Sequence, residues 1–240
     1  MHIMELSPKE IARLIDISTV QAQHGDAEIR ELVGYAKKYS FIAVHALPCW
    51  TKFLSGLLSD RDDILVGGPV GFPGGAHKTA TKAFEARQLL ADGLQEMDLM
   101  LNIGKLRSGE YTYVEDEIKA IVEIAGERSV PLKVILEVYH LSDDDIKKAC
   151  ELCINAGAQF VKTGTGWTPT GATLDVIALI TSFVGDAINV KASGGIRDLD
   201  TFTAMYNMGV ARFGINVNAS MRIMQECAER LSSKEIPMTS

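Results

Sequence analysis

Eight short runs of β-branched and apolar residues alternate with eight longer stretches of helical periodicity along a chain of 240 residues. Strict strand–helix alternation implies parallel strands joined by crossover helices. Eight such units in about 250 residues are the signature of a closed (β/α)8 TIM barrel. The competing open, doubly wound sheet is disfavoured because no GxGxxG follows the first strand. No linker, repeat or low-complexity tract interrupts the pattern, so residues 1–240 read as a single barrel domain, with 232–240 (SSKEIPMTS) as a loosely ordered tail.

The strand runs, in order, are LIDIS (14–18), FIAVHA (41–46), ILVGGPVGF (64–72), EMDLMLN (96–102), LKVILEV (132–138), QFVKT (159–163), INVKAS (188–193) and ARFGIN (211–216). Helical patterns follow them near 26–39, 49–58, 78–92, 112–128, 142–156, 171–184, 198–208 and 219–232. In SDDDIKKA, Ser142 is placed to cap a helix whose first turn is acidic, as the helix dipole favours. In NAGA and NMGV, Gly157 and Gly209 fall just past helix ends, where a left-handed residue closes the last turn.

Composition narrows the function classes. A net charge of −7 argues against a nucleic-acid surface, although glycine-rich backbone can still bind a phosphate. The N-terminal MHIMELSPKE lacks the apolar core of a signal peptide, and no apolar run reaches membrane-spanning length. Of the four cysteines, Cys150 and Cys153 form a CxxC inside a helical pattern with no second ligand pair beside it, which reads as reduced, structural thiols in a cytoplasmic protein.

In a barrel of this kind, function sits at the C-terminal ends of the strands. Those ends carry side chains that are awkward in a packed interior. They are Asp16 and Ser18 on strand 1, Glu96 and Asp98 on strand 4, Lys133 and Glu137 on strand 5, Lys162 on strand 6 and Lys191 on strand 7. Such groups must pair with one another or line a wet pocket. Lys133 and Glu137, four apart on one strand, read as a buried ion pair. Lys162, in QFVKTGTG, has two readings: a solvated lysine just beyond the strand, or a nucleophile. Two lysines on adjacent strands repel, so the amine that gains least from its surroundings loses its proton more readily. A neutral amine attacks a carbonyl, and the resulting iminium is an electron sink for carbon–carbon bond chemistry. Asp98 is the natural proton shuttle for it. Gly194, Gly195 and Arg197 of KASGGIRD, with Gly214 of RFGIN, sit in the loops where this barrel recurrently binds phosphate; alternatively these glycines only make tight turns.

These segments, in this order, resemble the deoxyribose-phosphate aldolases, class I (Schiff-base) enzymes on this barrel. The resemblance runs through LIDIST, VGFPGGAHKTATKAFEA, DGLQEMDLMLNIGKLRSGEY, LKVILEV, AGAQFVKTGTGW, VKASGGIRD and GVARFG. It implies reversible cleavage of 2-deoxy-D-ribose 5-phosphate to acetaldehyde and D-glyceraldehyde 3-phosphate, with no metal or organic cofactor. By the same resemblance, Lys162 is the Schiff-base lysine, Lys191 the second lysine that lowers its pKa, and Asp98 the relay carboxylate. Asp16 lies near the second lysine, Ser18 stands where a threonine contacts the substrate, and Thr165 joins the substrate-binding set. Gly194, Gly195, Arg197 and Gly214 fall in the phosphate loops.

The chain departs from the family pattern at four places. His45 replaces a cysteine on strand 2, Gly164 a serine after the lysine, and Asn216 and Val217 the hydroxyl residues after strand 8; the first strand reads DIS for DHT. His45 and Asn216 are thereby candidates for shaping the pocket, and the substrate is either 2-deoxyribose 5-phosphate or a different aldehyde or sugar phosphate. A sugar-phosphate-binding barrel without catalysis is the remaining alternative. The expected partner is a small molecule rather than a nucleic acid or a membrane, and a homodimer is among the assemblies expected. The five histidines are scattered; His45 and His140 could meet at the strand mouth, but no third metal ligand accompanies them.

Overall fold

The computed structural model describes residues 6–234. Eight parallel strands close on themselves in chain order: β1 (Ile15–Thr19), β2 (Ala43–Ala46), β3 (Leu65–Val70), β4 (Glu96–Met100), β5 (Leu132–Ile135), β6 (Phe160–Lys162), β7 (Asn189–Ser193) and β8 (Arg212–Asn216). The ladder closes where β1 pairs with β8, Asp16 opposite Gly214 and Ser18 opposite Asn216. Successive side chains on a strand point to opposite faces. One set, including Ile17, Val44, Val66, Leu99, Val134, Val161, Val190 and Phe213, is fully or nearly fully buried in the apolar core. The alternate set carries the polar residues. Arg212 on β8 bonds Glu96 on β4, across the barrel, so those side chains fill the interior.

The helices wrap the outside. They are α1 (Pro8–Ala12), α2 (Asp26–Tyr39), α3 (Thr51–Leu57), α4 (Thr79–Ala91), α5 (Ile103–Arg107), α6 (Tyr111–Gly126), α7 (Asp143–Asn155), α8 (Leu174–Val184), α9 (Leu199–Asn207) and α10 (Val217–Lys234). Ser142 accepts from the Asp145 N–H and Asp145 accepts in return, a full capping box at the start of α7. Gly157 and Gly209 adopt the left-handed conformation past α7 and α9 (φ 81° and 95°), as their positions demand. Cys150 and Cys153 lie on the buried face of α7, and burial alone pushes the Cys150 thiol up to about 12.

The structure differs from the sequence expectation in three respects. Two short helices, α1 and α5, have too few periodic positions to stand out. Strands β3, β4 and β5 stop at Val70, Met100 and Ile135, short of the expected ends, because the following residues leave the ladder for loops; Glu137 itself is left-handed (φ 53°). The expected tail at 232–240 is helical at its start: α10 continues to Lys234, with the Ser232 and Ser233 hydroxyls donating to carbonyls one turn back. Residues 235–240 lie outside the described residues.

One buried ion pair lies outside the barrel. Lys82 on α4 donates to Glu117 on α6 at 2.6 Å and to the Met100 carbonyl at 2.8 Å, tying both helices to the end of β4. Burial draws the lysine's pKa down and the glutamate's up, so the pair stands only while both members are present. Lys82→Met should cost about 3 kcal/mol or more by stranding the carboxylate, and adding Glu117→Leu should return much of it. Urea unfolding midpoints of the single and double variants check this.

Candidate active site

Seven charged side chains inside the barrel form one chain of alternating sign. Lys133 donates to Glu96 at 2.6 Å. Arg212 bridges Glu96 and Asp16, bonding Asp16 at 2.8 Å. Lys191 lies 2.6 Å from Asp16 and 3.1 Å from Asp98, and Lys162 closes the chain 2.7 Å from Asp98. Four cations thus face three carboxylates. Lys162, at one end of the chain, bonds a single carboxylate, whereas Lys191 sits between two. With Lys162 neutral, the remaining three cations balance the three anions.

The titration directions follow from that order. Burial lowers the pKa of Lys162; Asp98 opposes this, and Lys191 adds to it. Burial works on Lys191 too, but Asp16, Asp98 and Glu96 together outweigh it and raise its pKa. Burial disfavours ionised Asp98 and Asp16, yet the cations around them hold both well below the usual carboxylate range. The two lysines therefore diverge: Lys162 is the one that can be neutral, and Lys191 stays an ammonium.

The β6 loop is tied down by a carboxylate. Glu137 does not pair with Lys133, as their spacing suggested, because β5 ends before it and its left-handed backbone turns the side chain toward β6. There it accepts from the Thr165 N–H (3.2 Å), from the Thr165 hydroxyl and from the Thr168 hydroxyl (3.1 Å). Gly164 leaves room for it, since a Cβ there would lie 2.7 Å from Glu137 Oε1. The Thr163 hydroxyl donates to the Ser193 carbonyl at 2.7 Å, locking β6 to β7 beside the two lysines. Trp167 donates its indole N–H to the Val20 carbonyl at 2.8 Å and meets Phe72 edge-on at 5.6 Å, covering the mouth.

Below that cover, a well of about 20 Å³ is lined by Lys162, Asp98, His45, Lys191, Asp16 and Ser18 among others. Through Ser18, Thr165, Ser193 and Gly214 it adjoins a cavity of about 110 Å³ lined by Gly194, Gly195, Arg197 and Asn216. Gly194 and Gly195 are both left-handed there (φ 88° and 93°). Asn216 accepts from the Ala219 N–H at 2.9 Å and so caps α10, whose positive end begins at this cavity. The twelve residues read from the sequence as catalytic or substrate-binding all line one or both of these spaces; Glu96, Lys133 and Glu137, also picked out at the strand ends, line neither. A larger cavity, about 550 Å³, opens at the other end of the barrel between the segments that precede β3, β4 and β5, and none of the charged chain lines it.

Two residues of the interior escaped the sequence reading. Arg212 stands two before Gly214 on β8, the spacing that puts both on one face, and this was the signal available. Ser193 stands likewise two after Lys191. His140 is not at the strand mouth: it is exposed on the turn Val138–His140, where it packs edge-on against Tyr139. Asp16, His45 and Glu96 bring ligand atoms within 4.8 Å of one another, but the Lys191 and Lys133 ammonium groups already lie 2.6 Å from the two carboxylates and supply the cationic charge that trio would attract.

Residues 70–216 match the model of the DeoC/LacD family aldolases. The deoxyribose-phosphate aldolase of Rhizobium meliloti (strain 1021) is 50% identical over 223 residues, covering 93% of this chain and 89% of its own. That of Klebsiella pneumoniae is 45% identical over 225 residues, with 93% and 90% covered. Among solved structures, QR15, an aldolase, superposes with a TM-score of 0.87 at 36% identity, covering 94% of this chain and 99% of its own. The deoxyribose phosphate aldolase from Aeropyrum pernix, described as a unique tetramer, does so at 0.86 and 26% identity, with 94% of each chain covered. With a family model matched over residues 70–216 and relatives 45–50% identical across 93% of its length, this barrel belongs to the DeoC/LacD family of aldolases.

Proposed function

We propose that this aldolase reversibly cleaves 2-deoxy-D-ribose 5-phosphate to acetaldehyde and D-glyceraldehyde 3-phosphate, with Lys162 as the nucleophile. The observation that carries this is the position of Lys162 at the open end of the charged chain, buried and beside an ammonium, with one carboxylate for a partner. The neutral amine adds to the sugar aldehyde carbon, and loss of water gives the iminium. A base takes the proton of the C3 hydroxyl. The C2–C3 bond breaks, its electrons flow into the iminium as an enamine, and C3 leaves as the aldehyde of glyceraldehyde 3-phosphate. Protonation of the enamine carbon and hydrolysis return acetaldehyde and free Lys162. Asp98, within reach of Lys162 and Lys191, is placed to pass these protons. Lys191 stays charged, depresses Lys162 and helps stabilise the oxyanion that develops at C3.

A phosphorylated substrate is favoured by the second cavity, where the left-handed Gly194 and Gly195, the start of α10 and Arg197 meet. Asn216 serves there as a helix cap, so loss of the family's loop hydroxyls leaves the backbone donors in place. The assembly is proposed as a homo-oligomer, and the cytoplasm suits its four free cysteines. Among the described residues no helix is long and apolar enough to cross a membrane.

Borohydride reduction in the presence of 2-deoxyribose 5-phosphate should leave a substrate-sized adduct on the protein and none on Lys162→Ala; no adduct on the parent with this sugar, acetaldehyde or any other aldehyde would sink the reading. Because the Lys162 pKa is lowered, kcat/KM should fall as acid protonates the amine, with its acid limb below the range of an ordinary lysine. In Lys191→Leu the loss of a neighbouring ammonium, and of the partner for Asp98, raises that pKa, so the acid limb should move to higher pH. A rate flat down to about pH 5 excludes an amine nucleophile. Arg197→Ala should raise KM for 2-deoxyribose 5-phosphate by about 10-fold, one charge-assisted contact, and leave KM for unphosphorylated 2-deoxyribose unchanged.

A further inference from the structure

Asp98 presents a difficulty as the sole proton carrier. It contacts Lys162 and Lys191 and lies 4.0 Å from Lys133, and these cations hold its carboxyl well below the usual range, so a proton taken up there is quickly lost. The retro-aldol step needs somewhere for a proton to rest between leaving the C3 hydroxyl and reaching the enamine carbon.

His45 lies against that same carboxylate. It projects inward from β2, is 4% exposed, and lines the well with Lys162 and Asp98. Its Nδ1 is 3.7 Å from Asp98 Oδ2, while its Nε2 faces Asp16 at 3.4 Å and Glu96 at 3.6 Å. Nε2 makes no hydrogen bond inside the usual distance, which marks a buried polar atom held near two carboxylates rather than locked to one. Two carboxylates on the Nε2 side favour the tautomer with its hydrogen there, which turns the Nδ1 lone pair toward Asp98. Gly67 on β3 makes the place for the ring: a Cβ at that position would lie 2.2 Å from His45 Nε2. The charged groups facing the ring are Asp16 from β1 and Glu96 and Asp98 from β4, with Lys133, Lys162, Lys191 and Arg212 behind those carboxylates.

We infer that His45 is the second member of the proton relay, acting through Asp98: it accepts the proton of the C3 hydroxyl at Nδ1 and returns it by the same route to the enamine carbon. Protons balance over one turnover with no further acid or base consumed, and the relay proton exchanges with solvent while the enamine stands. The imidazolium formed in between faces Asp16 and Glu96, which offset its charge while Lys162 is tied up in the enamine. His45 is thus a positioning residue for proton transfer, and this rests on the Schiff-base reading above.

His45→Gln tests it, since the amide can face the Asp16 and Glu96 carboxylates and cannot hold a proton. The readout is deuterium incorporation into the methyl group of acetaldehyde in D2O, followed by NMR, beside borohydride trapping of acetaldehyde on Lys162 and a thermal melt. Trapping and melting as in the parent, with exchange slowed about 10²-fold at unchanged KM and loss of a limb from its pH profile, is expected; that is the lower end of what a positioned acid–base group contributes. Partial rescue by added imidazole would support it further. Parent-like exchange in a variant that traps normally overturns the relay and leaves the aldolase intact. Failure of the parent itself to trap acetaldehyde overturns both. If His45→Gln does not fold, His45→Asn gives the same readings.

Discussion

The structure depends on keeping seven charged side chains together in an interior from which water is largely excluded. Each isolated charge there would cost several kcal/mol, and the alternating order Lys133, Glu96, Arg212, Asp16, Lys191, Asp98, Lys162 means that every carboxylate touches a cation on either side. The barrel makes this possible because parallel strands deliver a side chain inward at every second residue from eight directions. A sheet with open edges could not surround a carboxylate such as Asp16 with Lys191 from β7, Arg212 from β8 and Lys133 from β5.

Reactivity is the residue of that arrangement. A chain of alternating charges with cations at both ends has one cation too many for neutrality. Lys133, deep in the barrel and fully buried, has Glu96 at bonding distance and Asp16 and Asp98 within 4.0 Å. Lys162, at the mouth, bonds Asp98 alone, and it is the proton there that is least expensive to lose. The same electrostatics that stabilise the interior therefore single out Lys162 as the amine that loses its proton most readily, and hold Asp16 and Asp98 ionised while they do so. The loops serve a separate task. Glu137 pins the turn after β6, and the paired glycines after β7 open a lobe beside the charged chain.

The departures from the family pattern make local sense in this setting. Gly164 and the inward turn of Glu137 go together, because a side chain at 164 would meet that carboxylate. Asn216, which the resemblance sets where a hydroxyl is usual, caps the helix that begins beside the second cavity. His45 has its own cradle at Gly67 and three carboxylates around its ring. None of these substitutions disturbs the alternating chain.

The strand–helix alternation, the barrel and the inward lysines and carboxylates were legible in the sequence, because period-two alternation states which residues share a face and a charged residue on an apolar strand must be accommodated somewhere. Arg212 carried that same signal, two before Gly214 on the same face of β8. What alternation along one strand cannot state is which residue on another strand lies opposite. The pairing of Lys133 with Glu96 instead of Glu137 was decided by where β5 ends and by one left-handed residue, and the number of carboxylates around each lysine was decided by closure of the barrel. Those are relations between segments far apart in sequence, set by the register of eight strands together, and the difference between Lys162 and Lys191 lies wholly within them.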